Sequence, residues 1–146
     1  MATSASHNAR DGGQDAPSDP HLPSVLIVDD SHDSEKTLGS LFGAHGYKTH
    51  VAYDGVAALE AAKAHLPDVI LLDLGMPELD GVHVARFFRE DEQLKDKVLI
   101  AITGHADEMH RSQCKAVGFD YVFQKPAGWD DLKSTIDRLW SKRNRP

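Results

Sequence analysis

The chain has 146 residues, of which 40% are apolar and 27% charged, with a formal net charge of −7, a balance that suits one globular domain with one core. The acidic excess argues against an extended nucleic-acid surface, which needs clustered Lys and Arg, and no apolar stretch approaches the roughly 18 residues of a membrane helix. The one cysteine, Cys114, rules out an intrachain disulfide, and the N-terminus lacks the apolar core of a signal peptide, so a cytoplasmic protein is expected.

Residues 1–23 are rich in Ala, Ser, Asp, Gly and Pro and lack apolar periodicity, which predicts a disordered tail ahead of a domain spanning 24–142. Val25 to Val28 is a continuous apolar run, as in a strand buried on both faces, and it leads into Asp29-Asp30. Leu38, Leu41, Phe42 and His45 recur at helical spacing, with Asp33 or Ser34 as the N-cap and Gly46 as the stop. Tyr47, Thr49 and Val51 alternate, predicting a strand near a sheet edge. Asp54 caps an Ala-rich helix running to about Ala64, and Pro67 closes the turn. Val69 to Leu72 is the second fully apolar run and leads into Asp73. A loop bearing Gly and Pro follows, then a helix carrying Val82, Ala85 and Phe88. Val98 to Ile102 leads into Thr103. A helix from about Asp107 to Val117 carries Met109, Gln113 and Cys114 and stops at Gly118. Tyr121 to Phe123 forms a short strand that continues across Gln124 into Lys125-Pro126. The last helix places Trp129, Leu132, Ile136, Leu139 and Trp140 on one face, leaving a C-terminal tail at 143–146.

Regular alternation of strand and helix implies a parallel sheet covered by helices on both faces. Right-handed crossovers leave few topologies, and the doubly wound order 2-1-3-4-5 is the expected one. It brings the ends of strands 1 and 3 side by side at the edge where open α/β sheets bind ligands. Asp29, Asp30, Asp73, Thr103 and Lys125 then converge on one small pocket. An ionised Asp73 is already a nucleophile and needs no general base. The charge repulsion among three carboxylates and an anionic phosphoryl donor calls for a hard divalent cation such as Mg²⁺. Asp30 and Asp73 are the expected direct ligands, with Asp29 acting through water. The Thr103 hydroxyl and the Lys125 ammonium would hold phosphoryl oxygens.

Each of these residues also has a plainer reading. Asp-Asp after a strand, or Asp73 followed by Gly75 and Pro77, can be turn and cap chemistry alone. It is the coincidence of all the strand ends that favours a phosphoryl site. The nine histidines do not make a zinc site, since His105 and His110 are out of the i, i+4 spacing and the rest are scattered. No P-loop, dinucleotide-binding glycine pattern or nucleophile elbow is present.

Val-Asp-Asp at 28–30, Leu-Leu-Asp-Leu-Gly-Met-Pro-Glu-Leu-Asp-Gly at 71–81, Ala-Ile-Thr-Gly-His at 101–105 and Gly-Phe-Asp-Tyr-Val-Phe-Gln-Lys-Pro at 118–126 resemble the receiver domain of two-component response regulators. The resemblance implies a flavodoxin-like (βα)5 three-layer sandwich, with Asp73 as phosphoacceptor, Asp29 and Asp30 as an acidic metal pair, and the backbone carbonyl of Gly75 as a further Mg²⁺ ligand. It likewise implies Thr103 as the switch hydroxyl and Lys125 as the phosphoryl-contacting lysine. The donor would be a histidine kinase or a histidine phosphotransfer protein, and the signal would pass to a protein target or along a phosphorelay. The chain departs from the family at Val122, where an aromatic residue usually stands three positions before the lysine.

The expectation is therefore a stand-alone receiver, monomeric or weakly dimeric, binding neither nucleic acid nor membrane. It is not an enzyme beyond its own phosphorylation and dephosphorylation. A receiver fragment of a hybrid histidine kinase and a phosphorylation-independent scaffold are the alternatives. A haloacid-dehalogenase-type phosphatase would need Asp-x-Asp after the first strand, where Asp29-Asp30-Ser31 stands instead.

Overall fold

The computed structural model describes residues 21–29, 38–75, 81–104 and 107–143. Residues 1–20 of the tail expected at 1–23, the N-cap at Asp33 or Ser34, the carboxylate of Asp30, His105 and the last three residues lie outside them. Strands β1 (Val25–Val28), β2 (Thr49–Ala52), β3 (Val69–Asp73), β4 (Val98–Thr103) and β5 (Tyr121–Gln124) alternate with helices α1 (Leu38–Ala44), α2 (Gly55–His65), α3 (Gly81–Glu90), α4 (Glu108–Val117) and α5 (Trp129–Arg143). All pairings are parallel and the order is β2-β1-β3-β4-β5, the doubly wound order expected from sequence.

The apolar runs are continuous because both faces of the sheet are covered. Leu26, Val28, Ile70, Leu72, Leu99, Ala101 and Val122 pack with Ala58 and Ala62 of α2, Val84, Ala85 and Phe88 of α3, and Cys114 of α4. The alternate residues Val25, Ile27, Val69, Leu71, Val98, Ile100, Ile102 and Phe123 pack with Phe42 of α1 and with Leu132 and Ile136 of α5. Three layers result, with Tyr121 on the α1/α5 side and Val122 on the other, as strand alternation requires. Leu22 also packs against the α1/α5 side, so the packed segment begins ahead of Ser24. Burial pushes the Cys114 thiol up from its ordinary range.

Local chemistry explains the element ends. Asp54 caps α2 by accepting from the Ala57 amide at 2.8 Å, and Asp107 caps α4 by accepting from the His110 amide at 2.8 Å. Gly118 closes α4 at φ 114°, a backbone region that favours glycine. The end of α2 lacks a glycine, and Leu66 takes the left-handed conformation at φ 47°. Pro67 behind it disfavours the right-handed helical region, which leaves this cap to a non-glycine residue.

Two helix faces differ from the expected ones. Val82 is 44% exposed, and α3 turns Val84, Ala85 and Phe88 inward instead. Met109 is 71% exposed and Gln113 is also exposed, so Cys114 is the buried residue of α4. At 100° per residue Met109 projects well over a quarter-turn from Cys114, and an apolar residue on a short helix need not mark its inner face.

The N-terminal edge of the sheet is closed by polar contacts. The Arg89 guanidinium donates to the carbonyls of Lys95 and Lys97 at 2.9 and 2.7 Å, twice to the carbonyl of Gly118 at 2.9 and 2.6 Å, and to Asp120 Oδ2 at 2.9 Å. Asp120 Oδ2 also accepts from the Leu99 amide at 2.9 Å. One side chain thus joins the end of α3, the α3–β4 connection, the end of α4 and the approach to β5. Arg89→Met should keep the aliphatic packing but strand these acceptors, lowering stability in urea unfolding by about 2–3 kcal/mol. Arg89→Lys should recover only part of this, because an ammonium lacks the planar fork. A midpoint unchanged in the methionine variant would show that the network is dispensable.

Candidate functional site

Asp73 is the last residue of β3, Thr103 the last of β4, and Asp29 and Lys125 directly follow β1 and β5. Register brings them together. Val28 pairs with Leu72, so Asp29 and Asp73 leave neighbouring strands side by side. Asp73 pairs with Ile102, one residue before Thr103, and Thr103 pairs with Gln124, one residue before Lys125. Backbone bonds continue past the strands at this edge. The Asp29 amide donates to the Ala52 carbonyl at 3.0 Å, the Leu74 amide to the Ile102 carbonyl at 2.8 Å and the Lys125 amide to the Thr103 carbonyl at 2.8 Å. The candidate site residues are therefore held by the sheet ladder itself. The Lys125-Pro126 peptide bond is cis.

Asp73 is 6% exposed and Thr103 5%, yet both are polar. A carboxylate so placed needs donors. Oδ1 of Asp73 accepts from the Gly75 amide at 2.8 Å, and Oδ2 accepts from Lys125 Nζ at 2.9 Å. The Lys125 side chain remains 45% exposed, so its ammonium stands between the carboxylate and water. Gly75 is exposed and borders the carboxylate closely. A Cβ at this position would lie 3.1 Å from Asp73 Oδ1 and 3.7 Å from Lys125 Nζ.

The edge thus unites Asp29, Asp73, Gly75, Thr103 and Lys125, while Asp30 lies outside the described residues. Among the described residues no group of three or more His, Cys, Asp or Glu side chains is arranged to hold a metal. The Asp29 and Asp73 carboxylates are oxygen donors of the kind that hard divalent cations take. An anionic nucleophile, a hydroxyl and a cation on one edge can accept and steady a phosphoryl group.

Two site contacts were not foreseen from sequence. The resemblance points to the Gly75 carbonyl, whereas it is the Gly75 amide that meets Asp73, in the side-chain turn that an Asp favours two residues on. The Lys125 amide to Thr103 carbonyl bond had no local signal, since it depends on which strand lies beside β5.

The chain matches the family model of the response regulator receiver domain over residues 25–137. It is 34% identical over 113 residues to the polar-differentiation response regulator DivK of Brucella ovis, covering 77% of this chain and 92% of that protein. Among solved structures it is similar to the chemotaxis response regulator CheY4 of Vibrio cholerae, with TM-score 0.73 and 29% identity over 81% of this chain and 98% of that one. It is also similar to the receiver domain of a sensor histidine kinase from Pseudomonas aeruginosa, with TM-score 0.72 and 26% identity over 82% of this chain and 98% of that one. That domain has a magnesium ion coordinated in its active-site cleft.

Proposed function

Because the chain belongs to the response regulator receiver family of two-component signalling, we propose that it accepts a phosphoryl group on Asp73 from a phosphohistidine donor. The observation that carries this reading is the contact of Lys125 Nζ with the nearly buried Asp73 carboxylate at 2.9 Å, beside the chain end of Thr103. A carboxylate oxygen of Asp73 attacks phosphorus, a P–O bond forms and the P–N bond of the donor breaks. The leaving electron pair stays on the imidazole nitrogen, which takes up a proton. Lys125, already at the carboxylate, shifts to a phosphoryl oxygen, and the Thr103 hydroxyl donates to another. Asp29, Asp30, Asp73 and the Gly75 carbonyl are the oxygen donors that would hold Mg²⁺, and their all-oxygen chemistry suits that ion. When bound, Mg²⁺ would offset charge between the carboxylates and the incoming phosphoryl group.

The partners on this reading are a histidine kinase or histidine phosphotransfer protein upstream and a protein target downstream. The chain turns over no substrate other than its own phosphoryl group. Among the described residues no helix is long and apolar enough to cross a membrane.

Acetyl phosphate with Mg²⁺ should add one phosphoryl group, removable by hydroxylamine, as read by intact mass. Asp73→Ala should add none, and undiminished labelling of that variant would reject the assignment. A panel of histidine kinases would then identify the natural donor by the fastest transfer.

Gly75 bears on how long the group persists. A side chain at 75 would start 3.1 Å from the reacting carboxylate, at the approach open to water. Gly75→Leu should therefore slow loss of label from the phosphorylated protein, with an effect of about threefold or more on the half-life. An equal or shorter half-life would show that access at this position does not limit hydrolysis.

A further inference from the structure

We propose that Arg111 is a positioning residue for the segment that follows Thr103, tying the first turn of α4 to β5 and opposing the arrangement that phosphorylation requires. The inference rests on Asp73 being the phosphoacceptor. Arg111 Nη1 donates to the carbonyl of Val122 at 2.8 Å, crossing from α4 to β5. The Arg111 amide donates to the carbonyl of the capping residue Asp107 at 2.9 Å, so Arg111 belongs to the first turn of the helix. Only four residues, 104–107, separate Thr103 from that helix start at Glu108.

These contacts close a ring. Asp73 Oδ2 is bonded to Lys125 Nζ, the Lys125 amide to the Thr103 carbonyl, and Thr103 leads through Gly104 to Asp107. Asp107 is bonded to Arg111, and Arg111 to Val122, three residues before Lys125. The direct Lys125–Asp73 contact belongs to the unmodified carboxylate. A phosphoryl group there gives Lys125 and the Thr103 hydroxyl new oxygens to bind. Movement of Thr103 toward them would pull on the chain that joins it to Asp107, and with it the first turn of α4. Space permits this at Gly104, where an added Cβ would meet no heavy atom within 4 Å. The bond that resists is Arg111 to Val122. Val122 is 2% exposed, so β5 cannot easily follow. A contact present in one arrangement and weakened in the other biases the equilibrium between them.

The test uses the full chain and beryllofluoride with Mg²⁺ as the probe, with amide signals of Gly104 and Val122 as the readout. Arg111→Met keeps the apolar stem and removes the donor. It should bind beryllofluoride about fivefold more tightly than the wild type, and acetyl phosphate should label it faster by a similar factor. Arg111→Lys, which keeps a donor, should fall back toward the wild type. Equal or weaker binding by the methionine variant would overturn the inference. So would a drop in melting temperature with unchanged affinity, which would make Arg111 structural only, or a lysine variant as tight as the methionine one. If the wild type itself neither labels nor binds beryllofluoride, the phosphoacceptor reading fails and the inference falls with it. Labelling of the wild type with no difference in Arg111→Met rejects the inference alone.

Discussion

A carboxylate at the end of a fully buried strand governs the arrangement of this domain. All five residues of β3 are buried, and the last is Asp73. Its ionised form is costly there unless donors replace water. The Gly75 amide and the Lys125 ammonium supply them. The two are not equivalent. The amide is part of the turn that directly follows the strand and cannot leave. The ammonium sits on a half-exposed side chain and keeps part of its hydration. Solvent screening makes such an ion pair weak. Lys125 is thus close enough to steady charge at the carboxylate, and its exposure would let it move onto a neighbouring oxygen. On the proposed reading the amide contact would persist and the ammonium contact would exchange, as a reversible modification requires.

The position of that carboxylate depends on register. Strand alternation has a period of two, so a one-residue slip of β3 against β1 or β4 would send its side chains to the opposite face. Several features prevent it. The α1/α5 side and the α2/α3/α4 side of β3 are both packed, by Val69 and Leu71 on one and Ile70 and Leu72 on the other. At the start of β3, Asp68 Oδ2 accepts from the amide and hydroxyl of Ser24 at 2.9 and 3.2 Å, while the Asp68 amide donates to Ser24 Oγ at 3.1 Å. This clamp fixes β1 against β3 at one end, and the ladder then delivers Asp29 and Asp73 together at the other.

Much of this was legible in the chain because it is local. Continuous apolar runs mark strands covered on both faces, and the polar residue after each run marks the edge where the runs end. Asp54 and Gly118 announce their caps by type and place. Leu66 did not, because its conformation follows from Pro67 behind it rather than from its own side chain. Val82 and Met109 misled because a short helix offers few residues from which to judge a face. Arg89 and Arg111 were invisible for a different reason. Their acceptors are mostly backbone carbonyls, and every residue has one, so no residue type in the sequence marks the partner. Only the packing of α3 and α4 against the sheet decides which carbonyls they meet.

The two arginines also divide the domain's labour. Arg89 binds the α3–β4 and α4–β5 connections at the N-terminal edge, supported there by Asp120. Arg111 makes its bond near the other end of α4, one turn from the segment after Thr103. Displacement at the C-terminal edge cannot readily spread to the N-terminal edge, because Gly118, at the end of α4, is held by Arg89 and a Cβ there would press against it at 2.8 Å. With its far end anchored, α4 would respond to a change at the site by pivoting, and its first turn would move most. That turn carries the exposed Met109 at the surface. On the proposed reading, a small shift at Thr103 would change what the start of α4 presents to a protein target, while the sheet and the opposite edge keep their form.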